Sequence, residues 1–161
     1  MAVAVGDKIP DVEVRVLGPD GAPQAVRTGE VLGEGKVVLF AVPGAYTPGC
    51  SKIHLPGFVQ GADELLSKGV DRIACIAVND AWVMDAWGKE QGAGDNIMML
   101  GDGNADFTKA MGLEADLGGI GLGVRSRRYA AVIEDGTITS LDVEDKPGVD
   151  VSSCESVLNR V

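Results

Sequence analysis

The stretch Val37-Val38-Leu39-Phe40-Ala41-Val42-Pro43-Gly44-Ala45-Tyr46-Thr47-Pro48-Gly49-Cys50 decides the fold. Its first six residues are all apolar, which reads as a buried strand. Pro43 and Gly44 stop that strand, because proline has no N–H to give to a ladder. Thr47 followed by Pro48 is a helix start, with a hydroxyl at the cap and proline at the first helical position. This register predicts Cys50 in the first helical turn, where unpaired N–H groups and the positive end of the helix dipole favour an anion. A thiol there is favoured as thiolate, the nucleophilic form.

The competing reading is a buried structural cysteine, since free cysteines are among the most buried residues. That reading leaves the hydroxyl cap, Pro43, Gly44, Pro48 and Gly49 beside one thiol without a reason. The local chemistry therefore points to a reactive cysteine.

Around this stretch the chain of 161 residues is expected to form one domain spanning 1–161, long enough for a core without disulfide staples. Its formal charge of −10, with only 14 basic residues, speaks against binding a phosphate backbone, so nucleic acid is not an expected partner. No apolar run approaches the length of a membrane span. The N-terminus Met1-Ala2-Val3-Ala4-Val5-Gly6-Asp7 lacks the basic flank and cleavage site of a signal peptide and the Arg/Ser-rich character of a transit peptide. Three cysteines without a Cys-x-x-Cys do not make a secreted disulfide framework. A cytoplasmic location is the expectation, with an organelle left open should a transit peptide have been removed.

Towards the N-terminus, residues 11–17 alternate and predict a half-exposed strand, with Val26 on a returning strand and one helical turn over Thr28–Leu32. Beyond Cys50, Pro56-Gly57 is expected to kink or interrupt the helix, which resumes through Phe58, Ala62, Leu65 and Leu66 until Gly69. Val70–Val78 is apolar at nearly every position and reads as a strand covered on both faces, with Cys75 inside it. Asn79 or Asp80 caps a helix whose Trp82, Val83, Ala86 and Trp87 are expected to pack on the sheet. Ile97–Leu100 is a short strand, followed by a helix through Phe107 and Met111. Five glycines between Gly112 and Gly123 predict no regular element there. Tyr129–Ile133 and Thr137–Val143 flank Asp135-Gly136, a strong hairpin signal. Ser152 or Ser153 caps a last helix carrying Cys154, Val157 and Leu158. This order predicts an α/β fold with a central mixed sheet flanked by helices and an N-terminal strand extension. A thioredoxin-like fold is the natural reading, although other α/β topologies fit the same pattern.

The pattern Pro43-x-x-x-Thr47-x-x-Cys50 resembles the signature of peroxiredoxins. Its extension through Gly44-Ala45-Tyr46-Thr47-Pro48-Gly49-Cys50-Ser51 and His54-Leu55-Pro56-Gly57-Phe58 resembles the type II subfamily, which includes the plant type II enzymes and the animal fifth isoform. Tyr46 stands where phenylalanine is usual, and the resemblance runs from Val5-Gly6-Asp7 almost to the C-terminus. It implies a thioredoxin-like fold and a thiol peroxidase that uses no metal or cofactor. Its substrates would be hydrogen peroxide and alkyl hydroperoxides, and its reductant glutaredoxin with glutathione, or thioredoxin. It also implies a homodimer, a peroxidatic Cys50, and Pro43 and Thr47 beside it.

Thiolate attack on a peroxide leaves a sulfenic acid and spreads negative charge over both oxygens, so fixed donors lower the barrier. Thr47 offers one, and an arginine is the best further partner because it is always charged and donates in a fork. Arg125, Arg127 and Arg128 are the candidates, and the resemblance selects Arg128, just before Tyr129. As resolving cysteine, Cys154 near the C-terminus is favoured over Cys75, because opening a terminal helix disturbs less packing than moving a strand. The family uses both positions. His54, the only histidine, could suggest a cysteine hydrolase. Its place one turn deeper, with no orienting carboxylate near in sequence, makes a packing or loop-fixing role the better reading. The spacings of the three cysteines match no zinc module. A redox-sensing or partner-binding domain using the same thiol without fast turnover is the remaining alternative.

Overall fold

A computed structural model describes residues 2–161. The elements in chain order are β1 (Glu13–Leu17), β2 (Pro23–Arg27), α1 (Thr28–Val31), β3 (Lys36–Ala41), α2 (Leu55–Ser67), β4 (Arg72–Ala77), α3 (Ala81–Gln91), β5 (Ile97–Gly101), α4 (Asp106–Met111), β6 (Glu114–Asp116), β7 (Val124–Ser126), β8 (Tyr129–Glu134), β9 (Thr137–Val143) and α5 (Cys154–Leu158). Seven strands form one sheet in the order β2-β1-β5-β4-β3-β8-β9, and β6 pairs with β7 apart from it. The β3–β4 and β4–β5 pairs are parallel and the others antiparallel. This is the expected thioredoxin-like arrangement, with the β1–β2 hairpin added at one edge.

The unbroken apolar run of β3 has a structural reason: both faces of the sheet are covered. Val38, Phe40 and Val42 pack with Ile73, Cys75 and Ala77 against Leu55, Phe58, Ala62 and Leu65 of α2 and Met84 and Trp87 of α3. Val37, Leu39 and Ala41 face the other way, towards Phe107 and Met111 of α4 and Ile9 and Leu32. Phe40 and Phe58 stack with ring centroids 4.0 Å apart, fastening α2 over β3. All three cysteines lie in the first of these layers.

Local signals hold at the caps and turns. Asp80 accepts from the Val83 N–H at 2.8 Å, and Ser153 accepts from the Ser156 N–H at 3.1 Å. Asp135 and Gly136 have φ of 48° and 84°, the paired positive values that a tight hairpin of right-handed twist demands.

Three expectations need correction. The helix after Cys50 does not break at Pro56-Gly57. It begins at Pro48, widens into a π turn over Cys50–His54, and continues as α2. Proline cannot bond to the carbonyl four residues back, and the widened turn just ahead of Pro56 is how the helix accommodates it. Trp82 is 55% exposed and its Nε1 donates to the Gly21 carbonyl, while Trp87 is fully buried. The buried face of α3 runs through Ala81, Met84, Trp87 and Gly88, which leaves Trp82 on the opposite side. The glycine-rich stretch holds two short elements, β6 and a 3-10 turn over Gly118–Ile120.

Candidate active site

The site forms where β3 ends, at the carboxyl edge of the parallel strands. Ala45 N–H donates to Asn79 Oδ1 at 3.0 Å, so the loop after β3 is pinned by the loop after β4. Tyr46 takes a φ of 67°, unusual for a residue with a side chain, and turns the chain into the helix. The Ser51 N–H donates to the Thr47 carbonyl at 2.9 Å, which makes Thr47 the residue from which the helix starts.

The Thr47 hydroxyl does not cap a backbone N–H. It lies 2.7 Å from the Gly44 carbonyl and 2.8 Å from Cys50 Sγ. A hydroxyl carries one proton, and the carbonyl can only accept. With a protonated sulfur the hydroxyl serves Gly44; with a bare thiolate it is free to donate to Sγ. The same oxygen therefore suits both states.

Arg128 reaches Cys50 from the head of β8, and its Nη2 donates to Sγ at 3.2 Å. Gly49 makes room: a Cβ there would lie 3.1 Å from Nη2. The other two arginines do different work. Arg125 donates through Nε to the Leu122 carbonyl and through Nη1 to the Pro43 carbonyl, and Arg127 donates to the Glu144 carbonyl. Cys50 itself is buried, so these donors act in a water-poor setting where their field is strong.

The structure thus brings together Cys50, Thr47 and Arg128, while Pro43, at the start of the same loop, accepts from Arg125 through its carbonyl. Cys75 faces the same layer from β4, paired with Phe40, and burial pushes its thiol well above the usual range, with the Cys50 charge adding to that. Cys154 begins α5, and burial together with the charge of Glu64 pushes its thiol up to about 11. Its sulfur occupies the space where a Cβ on Gly61 would sit.

His54 holds the contact that the sequence did not reveal. Arg128 Nη1 donates to His54 Nδ1 at 2.8 Å, and His54 Nε2 donates to the Ser152 carbonyl at 2.8 Å. The two partners fix the neutral tautomer with the proton on Nε2. Burial, against the pull of the Ser152 carbonyl and with the help of the Arg128 charge, brings the imidazole down to about 4, the Glu144 charge opposing the shift. Its ring also sits 5.1 Å from Phe40 and 5.6 Å from Phe58. Both nitrogens are committed, so His54 has none free to act as base for a hydrolase. Among the described residues no three His, Cys, Asp or Glu side chains cluster as a metal ion would require. Nor is any described helix long and apolar enough to cross a membrane.

Residues 4–158 match the Redoxin family. The chain is 49% identical over 163 residues to the chloroplastic Peroxiredoxin-2E-2 of Oryza sativa subsp. japonica, covering 99% of this chain and 72% of that one. It is 43% identical over 159 residues to Peroxiredoxin-2B of Arabidopsis thaliana, covering 99% and 98%. The crystal structure of reduced Prx3 from Vibrio vulnificus in complex with hydrogen peroxide superposes with a TM-score of 0.93 at 47% identity, over 98% of each chain. The chain belongs to the Redoxin family, and within it to the type II peroxiredoxins. Its activity is that of a thiol-dependent peroxidase, an oxidoreductase that takes its electrons from a thiol partner.

Proposed function

We propose that Cys50 is the peroxidatic cysteine, with Thr47 and Arg128 as its catalytic donors and Pro43 shaping the loop that holds them. One observation carries this reading: the Cys50 sulfur is held between Thr47 Oγ1 and Arg128 Nη2. The thiolate attacks one oxygen of hydrogen peroxide or a small alkyl hydroperoxide. The O–O bond breaks, the second oxygen leaves as hydroxide or alkoxide, and the sulfur becomes a sulfenic acid. Negative charge moves from sulfur to the oxygens during this step. A guanidinium and a hydroxyl already aimed at sulfur can follow that charge without first reorganising.

Cys154 resolves the sulfenic acid in this scheme. Its thiol attacks the Cys50 sulfur, a disulfide forms, and water leaves. Gly61, where Cys154 is seated, is eleven residues past Cys50, roughly 16 Å along a helix, far beyond disulfide reach, so α5 must first undock. A five-residue helix undocks at little cost, whereas Cys75 is held by strand pairing on both sides of β4. A dithiol or glutathione then reduces the disulfide, with glutaredoxin or thioredoxin as the delivering protein.

The chain works as one domain over 1–161 and pairs as a homodimer. Tyr46, Ile53, Ile120 and Val124 expose apolar surface that self-association can bury. A reducing compartment suits the free thiols. The cytosol is the primary reading, and the chloroplastic name of the rice relative favours an organelle as the second. Peroxide consumption with glutaredoxin and glutathione, and separately with thioredoxin, tests the proposal. Turnover with a thiol donor is expected in wild type, whereas oxidation of one equivalent without cycling would favour the sensor reading.

A further inference from the structure

Four residues form a closed circuit that begins and ends at Arg128. The Glu144 N–H donates to the Arg128 carbonyl at 2.9 Å, joining the two backbones. One oxygen of the Glu144 carboxylate, Oε2, accepts from the Asp150 N–H at 2.6 Å, the Ser152 N–H at 2.9 Å and the Ser152 hydroxyl at 2.6 Å. Burial pushes this carboxyl up, but these bonds outweigh it and hold it below the usual range. Ser152, fixed in this way and itself buried, presents its carbonyl to His54 Nε2. His54 then turns Nδ1 to Arg128 Nη1, and Arg128 directs its other prong, Nη2, at the Cys50 sulfur.

The geometry points to Glu144 as a positioning residue for the peroxidatic reaction: through Ser152 and His54 it sets the aim of the Arg128 guanidinium at Cys50. It touches neither sulfur nor substrate. Its carboxylate is the only acidic group in the circuit, and it alone gathers the donors of the 150–152 loop. Without it the loop keeps the Arg160 bond to the Val151 carbonyl but loses the three donor contacts that hold Ser152 itself under His54. The imidazole then loses the acceptor that keeps the proton on Nε2, and with it the lone pair that Nη1 uses. An arginine held at one prong can swing, and a misplacement near 1 Å is enough to slow chemistry severely. This inference rests on the assignment of Cys50 and Arg128 given above.

The test is the single-turnover rate of Cys50 oxidation by hydrogen peroxide, measured in the full-length reduced protein with a thermal melt of each variant. Glu144→Ala is expected to slow oxidation about tenfold or more. Glu144→Gln keeps an acceptor oxygen and is expected to recover most of that rate. The decisive comparison is a double-mutant cycle with Arg128→Lys. If Glu144 acts through Arg128, Glu144→Ala adds less than about twofold in the Arg128→Lys background. Should Glu144→Ala fail to fold, Glu144→Asp, one methylene too short to reach the loop, carries the same cycle. Wild-type oxidation in the Glu144 variant, or an equal fold-loss in both backgrounds, overturns the inference. An Arg128→Lys protein that oxidises at the wild-type rate would overturn instead the role given to Arg128, so the two failures are separable.

Discussion

Cys50 and Cys154 are both buried on the same side of the sheet, yet they sit in opposite surroundings. Cys50 meets a hydroxyl at 2.8 Å and a guanidinium at 3.2 Å. Cys154 meets the bare backbone of Gly61 and the charge of Glu64, and its thiol is pushed up to about 11. Burial sharpens whatever environment it encloses. Around apolar contacts it keeps the proton on a thiol, as at Cys154. The contrast sets the proposed peroxidatic thiol, met by donors, against the proposed resolving thiol, seated away from them.

The largest effect expected follows from that contrast. Cys50→Ser should abolish peroxidase activity with any thiol donor while preserving the melting temperature. Cys154→Ser should leave the first oxidation of Cys50 intact and lose only the intramolecular disulfide, read by peptide mapping after one equivalent of peroxide. A Cys50–Cys75 linkage in wild type that survives in Cys154→Ser would reverse the roles given to the two secondary thiols.

Removing a donor rather than the sulfur should cost less. Thr47→Val is expected to slow oxidation about a hundredfold, whereas Thr47→Ser, which keeps the hydroxyl, should stay within about fivefold of wild type. Stopped-flow oxidation by hydrogen peroxide distinguishes them, and equal rates for Thr47→Val and wild type would falsify the donor role. Arg128→Lys keeps the charge but loses the fork, so impairment of at least about tenfold is expected in the same assay.

On the Cys154 side, Gly61→Ala should eject the sulfur from its seat at a cost of about 1–3 kcal/mol in urea unfolding. The same variant should raise the alkylation rate of Cys154. Gly57→Ala on the same helix meets open space and should be neutral or stabilising by about 0.5–1 kcal/mol. Equal behaviour of the two glycine variants would show that the seat of Cys154 is not tight.

A further effect concerns pH. His54 is depressed to about 4 in the folded chain from an ordinary 6.5, so the unfolded chain binds more protons between those values. The His54 contribution to stability is therefore whole above about pH 6.5 and is lost as pH falls towards 4. His54→Gln should flatten this part of the unfolding profile; an unchanged slope would mean that His54 titrates as it does in the unfolded chain.

Much of the fold was legible because its signals are local. The β3 run, the Asp135-Gly136 turn and the caps at Asp80 and Ser153 each depend on neighbours a few residues away. Thr47 and Cys50 were legible for the same reason. The Arg128–His54 and His54–Ser152 contacts span 74 and 98 residues, and no spacing rule reaches that far. Glu144 was invisible because a carboxylate in a polar loop looks like a solvated one until its donors are known. Trp82 and Trp87 share a helix, and two positions of one residue type do not reveal which faces the sheet. The β6 strand, three residues long beside glycines, is too short to carry a period.

The π turn has a further consequence, for the phase of the helix. An α-helix advances about 100° per residue, and a widened turn advances less. The buried stripe through Leu55, Phe58, Ala62 and Leu65 fixes the rotation of α2 against the sheet. The sequence before the widened turn is therefore one residue out of step with that stripe. Cys50 and His54, four residues apart, share one face of this turn, and one guanidinium serves both. Deleting a single residue between Cys50 and Leu55 would restore a regular helix and leave both the core stripe and the rotation of Cys50 nearly in place, because a widened turn takes up one extra residue. The same five residues thus let the core stripe of α2 and the contacts of Cys50 with Thr47 and Arg128 be met by one continuous helix.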